Sequence, residues 1–235
     1  MAEYVGFITN MKPEWMDLAF NCKINGLSKE DAKPLIEEAA AVTYSAKENI
    51  LKTRRVLETV FYDTDSWILA NSLDDYRSMT SEQRLPLYWS LLVSTFPIFF
   101  DTCKSIGTLA EYRETITLTQ ARQPVYDKWG SRNIIHQAVK KVFQTLKDFE
   151  MLSTSGKPGT FSLVSHRVSD RNLVNYLAVA ILSASNSEYL TWEAIVGNRA
   201  LFPFIIEHVT QADAAACEML CLERMGDDVV IRMKG

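Results

Sequence analysis

The sequence predicts a mainly α-helical protein, and three observations carry that prediction. Of 235 residues, 47% are hydrophobic, while only 9 are glycine and 7 are proline. That is enough apolar material for a core, too little charge for disorder and too few turn formers for a sandwich or barrel. Apolar residues recur with a helical period, and Ser-x-x-acid patterns precede the periodic stretches. No self-similarity of fixed period and no low-complexity segment is evident, which argues against a solenoid.

A first helix runs from about Glu14 to Ile24 and closes at Asn25-Gly26. Ser28 with Asp31, and Ser45 with Glu48, fit capping boxes. The second box opens AKENILKTRRVLETVFY, where Ile50, Leu51, Leu57, Val60 and Phe61 form the inward stripe and Lys47, Lys52, Arg54 and Arg55 a basic patch. Further helices start at Ser66 and Ser81, and a long one runs from about Pro97 through Thr108. The apolar run from Leu85 to Phe100 holds two prolines and is shorter than the ~20 residues of a membrane span. Membrane insertion is therefore not expected. The first twenty residues lack the basic-then-apolar order of a secretion signal, so a cytoplasmic location is expected.

The middle of the chain is different. From Gln120 to Arg171 nine basic residues face four acidic ones, although the whole chain carries a net charge of −4. Such asymmetry bears on partners more than net charge does. TLTQARQPVYDKWG reads as a short helix ending at Gly130, after which Ser131 caps a helix to about Glu150. Ile134, Ile135, Ala138, Val139, Val142, Leu146 and Phe149 share one face of it. Asn133, Gln137, Lys140, Gln144 and Lys147 share the other, with His136 and Lys141 at the margins. MLSTSGKPGTFSLV follows as a β-hairpin with Lys157 at its tip. Helix, turn, helix and hairpin is the order of a winged helix. A helix fits the major groove of DNA, where amide and basic side chains meet base edges and phosphates. The candidate nucleic-acid contacts are Arg132, Asn133, His136, Gln137, Lys140, Lys141, Gln144 and Lys157, with Lys47, Lys52, Arg54 and Arg55 as a possible second basic patch. Polar residues opposite an apolar stripe also occur on any surface helix, so a protein-binding role stands as the alternative.

Catalytic and metal signatures are missing from the sequence. There is no phosphate-binding glycine loop, no nucleophile elbow and no HExxH, and the three histidines are His136, His166 and His208. Asp63 with Asp65, Asp74 with Asp75, and Asp227 with Asp228 are paired carboxylates at helix starts or turns, where Asp caps backbone N–H groups. Cys22, Cys103, Cys217 and Cys221 read as free thiols, the last two at helical spacing in ADAAACEMLCLE with no second pair to complete a tetrahedral site. No metal, cofactor or enzymatic activity is expected. The C-terminal region reads as a helix from Asp170 to about Ser183, core aromatics Trp192, Phe202 and Phe204, a helix capped by Thr210 and Asp213, and a short strand VVIRM without an assignable partner.

INGLSKEDAKPLIEE, SAKENILKTRRVLETVF, LPLYWSLLVSTFPIFFD, and SRNIIHQAVKKVFQTLKDFEML with its GKPG hairpin together resemble the BrxA family of bacterial BREX (bacteriophage exclusion) defence systems. The resemblance covers roughly the first seventy per cent of the chain and rests on caps and apolar spacing. It implies a small, mostly helical, non-enzymatic component that binds double-stranded DNA and works with other subunits of an antiviral system. The expected organisation is a bundle-like helical domain at 1–107, a winged-helix-like basic region at 108–183 and a helical C-terminal region at 184–235. The rival reading is a helical adaptor that uses the winged-helix element to bind a protein.

Overall fold

The computed structural model describes residues 5–226 and 228–234. About 60% of the chain is helical, as the period of its apolar residues predicts. The N-terminal half consists of α1 (Pro13–Ile24), α2 (Lys29–Thr43), α3 (Lys47–Glu58), α4 (Trp67–Tyr76), α5 (Ser81–Thr95) and α6 (Pro97–Ala110). Local chemistry sets several of these starts. The Ser28 and Ser66 hydroxyls accept from the N–H groups of Asp31 and Leu69, and Thr80 forms a reciprocal box with Gln83. The box expected at Ser45 and Glu48 is not formed. α3 is entered from Ala46 without a side-chain cap, and Glu48 instead pairs with Lys52 one turn along at 2.6 Å. Leu57, Val60 and Phe61 are buried as predicted, whereas Ile50 and Leu51 are only half-buried.

The apolar run from Leu85 to Phe100 is broken at Pro97. A residue before proline avoids the helical region, and Phe96 is accordingly extended (φ −123°, ψ 101°). Pro97 then opens α6, where its missing N–H is of no consequence. Among the described residues no helix is long and apolar enough to cross a membrane.

After α6 come β1 (Thr115–Thr117), α7 (Leu118–Trp129), α8 (Asn133–Asp148), β2 (Leu152–Thr154) and β3 (Thr160–Leu163). β3 is the central strand, antiparallel to both neighbours, with Phe161 opposite Ile116 and Thr154. The expected hairpin is therefore present, turning through Gly156 and Gly159 at φ 47° and 73°, a region that favours glycine. Its third strand, β1, is too short at three residues to show an alternating pattern in the sequence. α8 is entered from Arg132 rather than Ser131, again without a side-chain cap.

The C-terminal region corrects the expectation of a helical segment. β4 (His166–Val168) leads into α9 (Arg171–Ala184), β5 (Tyr189–Thr191), α10 (Trp192–Val196), a tight helical turn at Arg199–Leu201, β6 (Phe204–Ile206), α11 (Gln211–Ala215), β7 (Leu220–Met225) and β8 (Asp228–Met233). β4 and β6 pair in parallel, and β8 lies between β5 and β7. The stretch ADAAACEMLCLE is thus not one helix: α11 ends at Ala215 and Cys221 lies on β7. Its Ala, Glu, Met and Leu favour helix locally, but pairing with the β-branched tail overrides that preference. The tail strand has partners on both sides.

The two three-stranded sheets share part of one plan, which the sequence did not announce. α6 and α9 have 14 residues each, and each is followed after four residues by a three-residue strand whose last threonine caps the next helix. Pro97 corresponds to Arg171, Thr115 to Tyr189 and Thr117 to Thr191, an offset of 74 residues throughout. In both units helices follow the first strand and the final strand closes the sheet at its centre, but in the second the Arg199–Leu201 turn and β6 intervene between α10 and α11. Among the described residues nearly all buried apolar side chains join one cluster that extends from Val5 to Ile231, with α5 packed against α9.

Candidate nucleic-acid interface

α8 is the most clearly two-faced helix of the basic section. Ile135, Ala138, Val139, Val142, Leu146 and the following Phe149 are buried, while Asn133, Gln137, Lys140, Gln144 and Lys147 are exposed. Ile134, expected inside, is 50% exposed, because it lies ~100° around the helix from Ile135 at the edge of the apolar stripe. Lys157 is exposed at the hairpin tip beyond the end of α8. Among the described residues Lys140, Lys147 and Lys157 form no salt bridge. Gln144 Nε2 donates to Asp148 Oδ1 at 2.8 Å, so its amide is partly committed.

Three of the candidate residues are engaged elsewhere. The ring of His136 is bound through Nδ1 by Arg122 and by the Tyr126 hydroxyl at 3.2 Å, and Arg122 lies over the Tyr126 ring at 5.1 Å. This cluster ties α7 to α8. Arg132 reaches back to the Trp129 carbonyl at 3.4 Å. Lys141 is half-buried and turns to Asn10 Oδ1 at 3.5 Å. Burial, and then the repulsion of Lys140 and Lys52, hold its pKa below the ordinary lysine value.

The early basic patch divides in the same way. Arg54 is locked between Glu37 and Glu58, and Lys52 pairs with Glu48, which leaves Lys47 and Arg55 exposed. His166 is buried, with Nε2 3.1 Å from the Glu150 carbonyl oxygen. It borders a cleft of about 550 Å³ lined by Glu14, Glu82, Asp148 and Glu150, a wall that repels phosphate. Asp63 pairs with Lys29 at 2.6 Å, and Asp75 accepts from Asn172 and Tyr176 at 2.9 and 3.2 Å. Asp227 lies outside the described residues. Among the described residues no three His, Cys, Asp or Glu side chains gather as metal ligands would. Burial pushes the Cys22, Cys103 and Cys217 thiols up, away from the reactive thiolate.

The chain matches no protein-family model, no curated protein and no solved structure. Its function must be read from its own surface. The cluster of Arg122, Tyr126 and His136 was visible only in part beforehand, since Arg122 and Tyr126 share a face of α7 by their spacing of four. Asn10, which joins Tyr44, Lys141 and Asp148, carries no sequence signal at all.

Proposed function

We propose that α6 through β3 acts as a winged helix and that the protein binds double-stranded DNA, mainly through phosphates and without catalysing a reaction on it. The observation that carries this reading is the exposed face of α8, where Asn133, Gln137, Lys140 and Lys147 stand together beside the hairpin of Lys157. The order helix, strand, two helices and hairpin, with the last strand at the sheet centre, supports it. α8 has 16 residues, a length of ~24 Å, and a helix of that kind enters a major groove ~12 Å wide. Asn133 and Gln137 offer paired donors and acceptors to base edges, while the lysines neutralise phosphates. Lys157 reaches the adjoining backbone from the wing. From the resemblance of the sequence to the BrxA family we propose further that this activity serves a phage-defence assembly, in which bound DNA is presented to other subunits.

Fluorescence anisotropy of a labelled duplex tests the proposal. Binding at low salt should weaken steeply as salt rises, because each lysine that meets a phosphate releases a counterion. A protein that binds no duplex at low salt is an adaptor instead, and its winged element serves a protein partner.

A further inference from the structure

A polar cavity of about 400 Å³ opens between α4, the start of α9 and residues 216–218, and no residue of α8 or its hairpin lines it. Asn175 of α9 forms part of its wall although the residue is only 5% exposed. Its Oδ1 is buried and accepts no hydrogen bond. Buried polar atoms are almost always paired, and a ligand N–H placed at an orphaned acceptor recovers the free energy lost there. The donors around the cavity are engaged elsewhere. The Tyr176 hydroxyl donates to the Asn71 carbonyl at 2.9 Å, Asn71 Nδ2 donates to the Trp67 carbonyl at 2.9 Å, and Asn172 Nδ2 donates to Asp75 Oδ2 at 2.9 Å.

The charge of the wall selects the ligand. Asp74, Asp75 and Glu218 line the cavity, and Asp74 and Glu218 form no salt bridge among the described residues. Both hydrogen bonds to Asp75 fall on Oδ2, so its Oδ1 carries none among the described residues. The cation on the wall, Arg171, is held by Asp213 at 2.9 Å, and the start of α9 is capped by Asp170. An anion therefore meets repulsion here. A metal ion lacks its ligand set, since no three such side chains gather among the described residues. The rings of Trp67 and Tyr176, 5.9 Å apart, add a surface that suits the alkyl stem and charge of an organic cation.

We propose that this cavity binds a small aliphatic amine, whose ammonium group donates to Asn175 Oδ1 and is balanced by Asp74 and Asp75 while its stem lies against Trp67. The site is separate from the DNA contacts of α8, and either stands without the other.

Isothermal titration calorimetry with 1,4-diaminobutane tests the site, and 1-butanol serves as a neutral probe of similar length. The wild type should bind the diamine and not the alcohol. Asn175→Leu removes the acceptor at similar volume and, because the orphaned atom goes with it, should fold; it should weaken diamine binding ~10-fold or more. Asp74→Asn, at an exposed position, should weaken it ~3-fold, whereas Glu38→Gln, an exposed charge on α2 outside the cavity, should leave it unchanged. Circular dichroism checks each fold, and if Asn175→Leu fails to fold, the comparison of Asp74→Asn with Glu38→Gln decides. The proposal is overturned by a wild type that gives no heat with millimolar diamine, or by equal binding of the alcohol. It is equally overturned by folded cavity variants that bind as the wild type does, or by a loss in Glu38→Gln that matches theirs, since attraction is then one of net charge.

Discussion

A Cβ atom placed on Gly107 would lie 1.8 Å from the carbonyl oxygen of Arg199. α6 and the Arg199–Leu201 turn therefore touch backbone to backbone, and this contact fastens the second unit to the helix that begins the first. A methyl group there cannot be relieved by a side-chain rotation, because the obstacle is main chain. Gly107→Ala should destabilise the fold by ~1–3 kcal/mol through overpacking, although alanine is the better helix former. Urea unfolding of the two proteins measures it, and an unchanged midpoint refutes the close approach.

The exposed face of α8 gives the second prediction. Lys140→Glu, Lys147→Glu and Lys157→Glu together replace three attractive phosphate contacts by repulsion and should weaken duplex binding at least ~10-fold at moderate salt. All three side chains are exposed, so the helical signal should persist. A folded triple variant that binds as the wild type does would remove α8 and its hairpin from the interface.

Lys141 behaves differently from these three. Its pKa is lowered from 10.5, chiefly by burial, so the unfolded chain holds this proton at pH values where the folded chain has released it. Its contribution to stability therefore rises with pH between the lowered value and 10.5, and the penalty for the buried charge is complete near neutrality. Lys141→Met should raise the melting temperature at pH 7, with a gain that shrinks as pH approaches 10.5. Asn10 Oδ1 keeps the Tyr44 hydroxyl as a donor in the variant. A gain independent of pH, or no gain, would contradict this assignment.

The helices were legible because their apolar period and caps are local properties, as Ser28, Ser66 and the stripe of Ile135, Val139, Val142 and Leu146 show. Long-range pairing was not legible. β1 and β5 are three residues each, and their identity as strands depends on Phe161 and Ile231 opposite them. The repeat was hidden for a related reason: over Pro97–Thr117 and Arg171–Thr191, only Ala110, Glu114 and Thr117 match Ala184, Glu188 and Thr191. Within the site, exposure of Lys140 and Lys147 followed from helix geometry. The diversion of Lys141 and His136 depended on Asn10 and Arg122, partners that no spacing rule connects to α8.

Asp17 joins α1 to α5 and the end of α4. Its Oδ1 accepts from the hydroxyls of Tyr76 and Tyr88 and from Arg84 Nη1, the last at 3.1 Å. Burial, with Asp17 as a further cause, pushes both tyrosines well above the ordinary phenol range. Asp17→Ala should cost ~1–3 kcal/mol by leaving buried donors without an acceptor. In the wild type, alkaline titration by ultraviolet absorbance should show these tyrosines ionising only as the fold is lost. Their ordinary titration near pH 10 in folded protein would refute the cluster.

The second unit repeats the plan of the first but reverses its charge. Between Arg171 and Met233 four basic residues stand against eight acidic ones, and the position of α8 is taken by the five-residue α11, Gln-Ala-Asp-Ala-Ala, which has no cation. If α8 binds DNA as proposed, shared topology does not confer a shared partner, because the α8 face carries cations and its counterpart carries none. Arg224→Glu on the exposed part of β7 should alter duplex affinity by less than ~2-fold, whereas Lys140→Glu alone should cost several-fold through the loss of a direct contact and its replacement by repulsion. The two substitutions change the net charge equally, so comparing them by anisotropy at one salt concentration separates position from total charge. Equal losses would mean that affinity follows the whole molecule's charge, and the division of labour between the two units would fall.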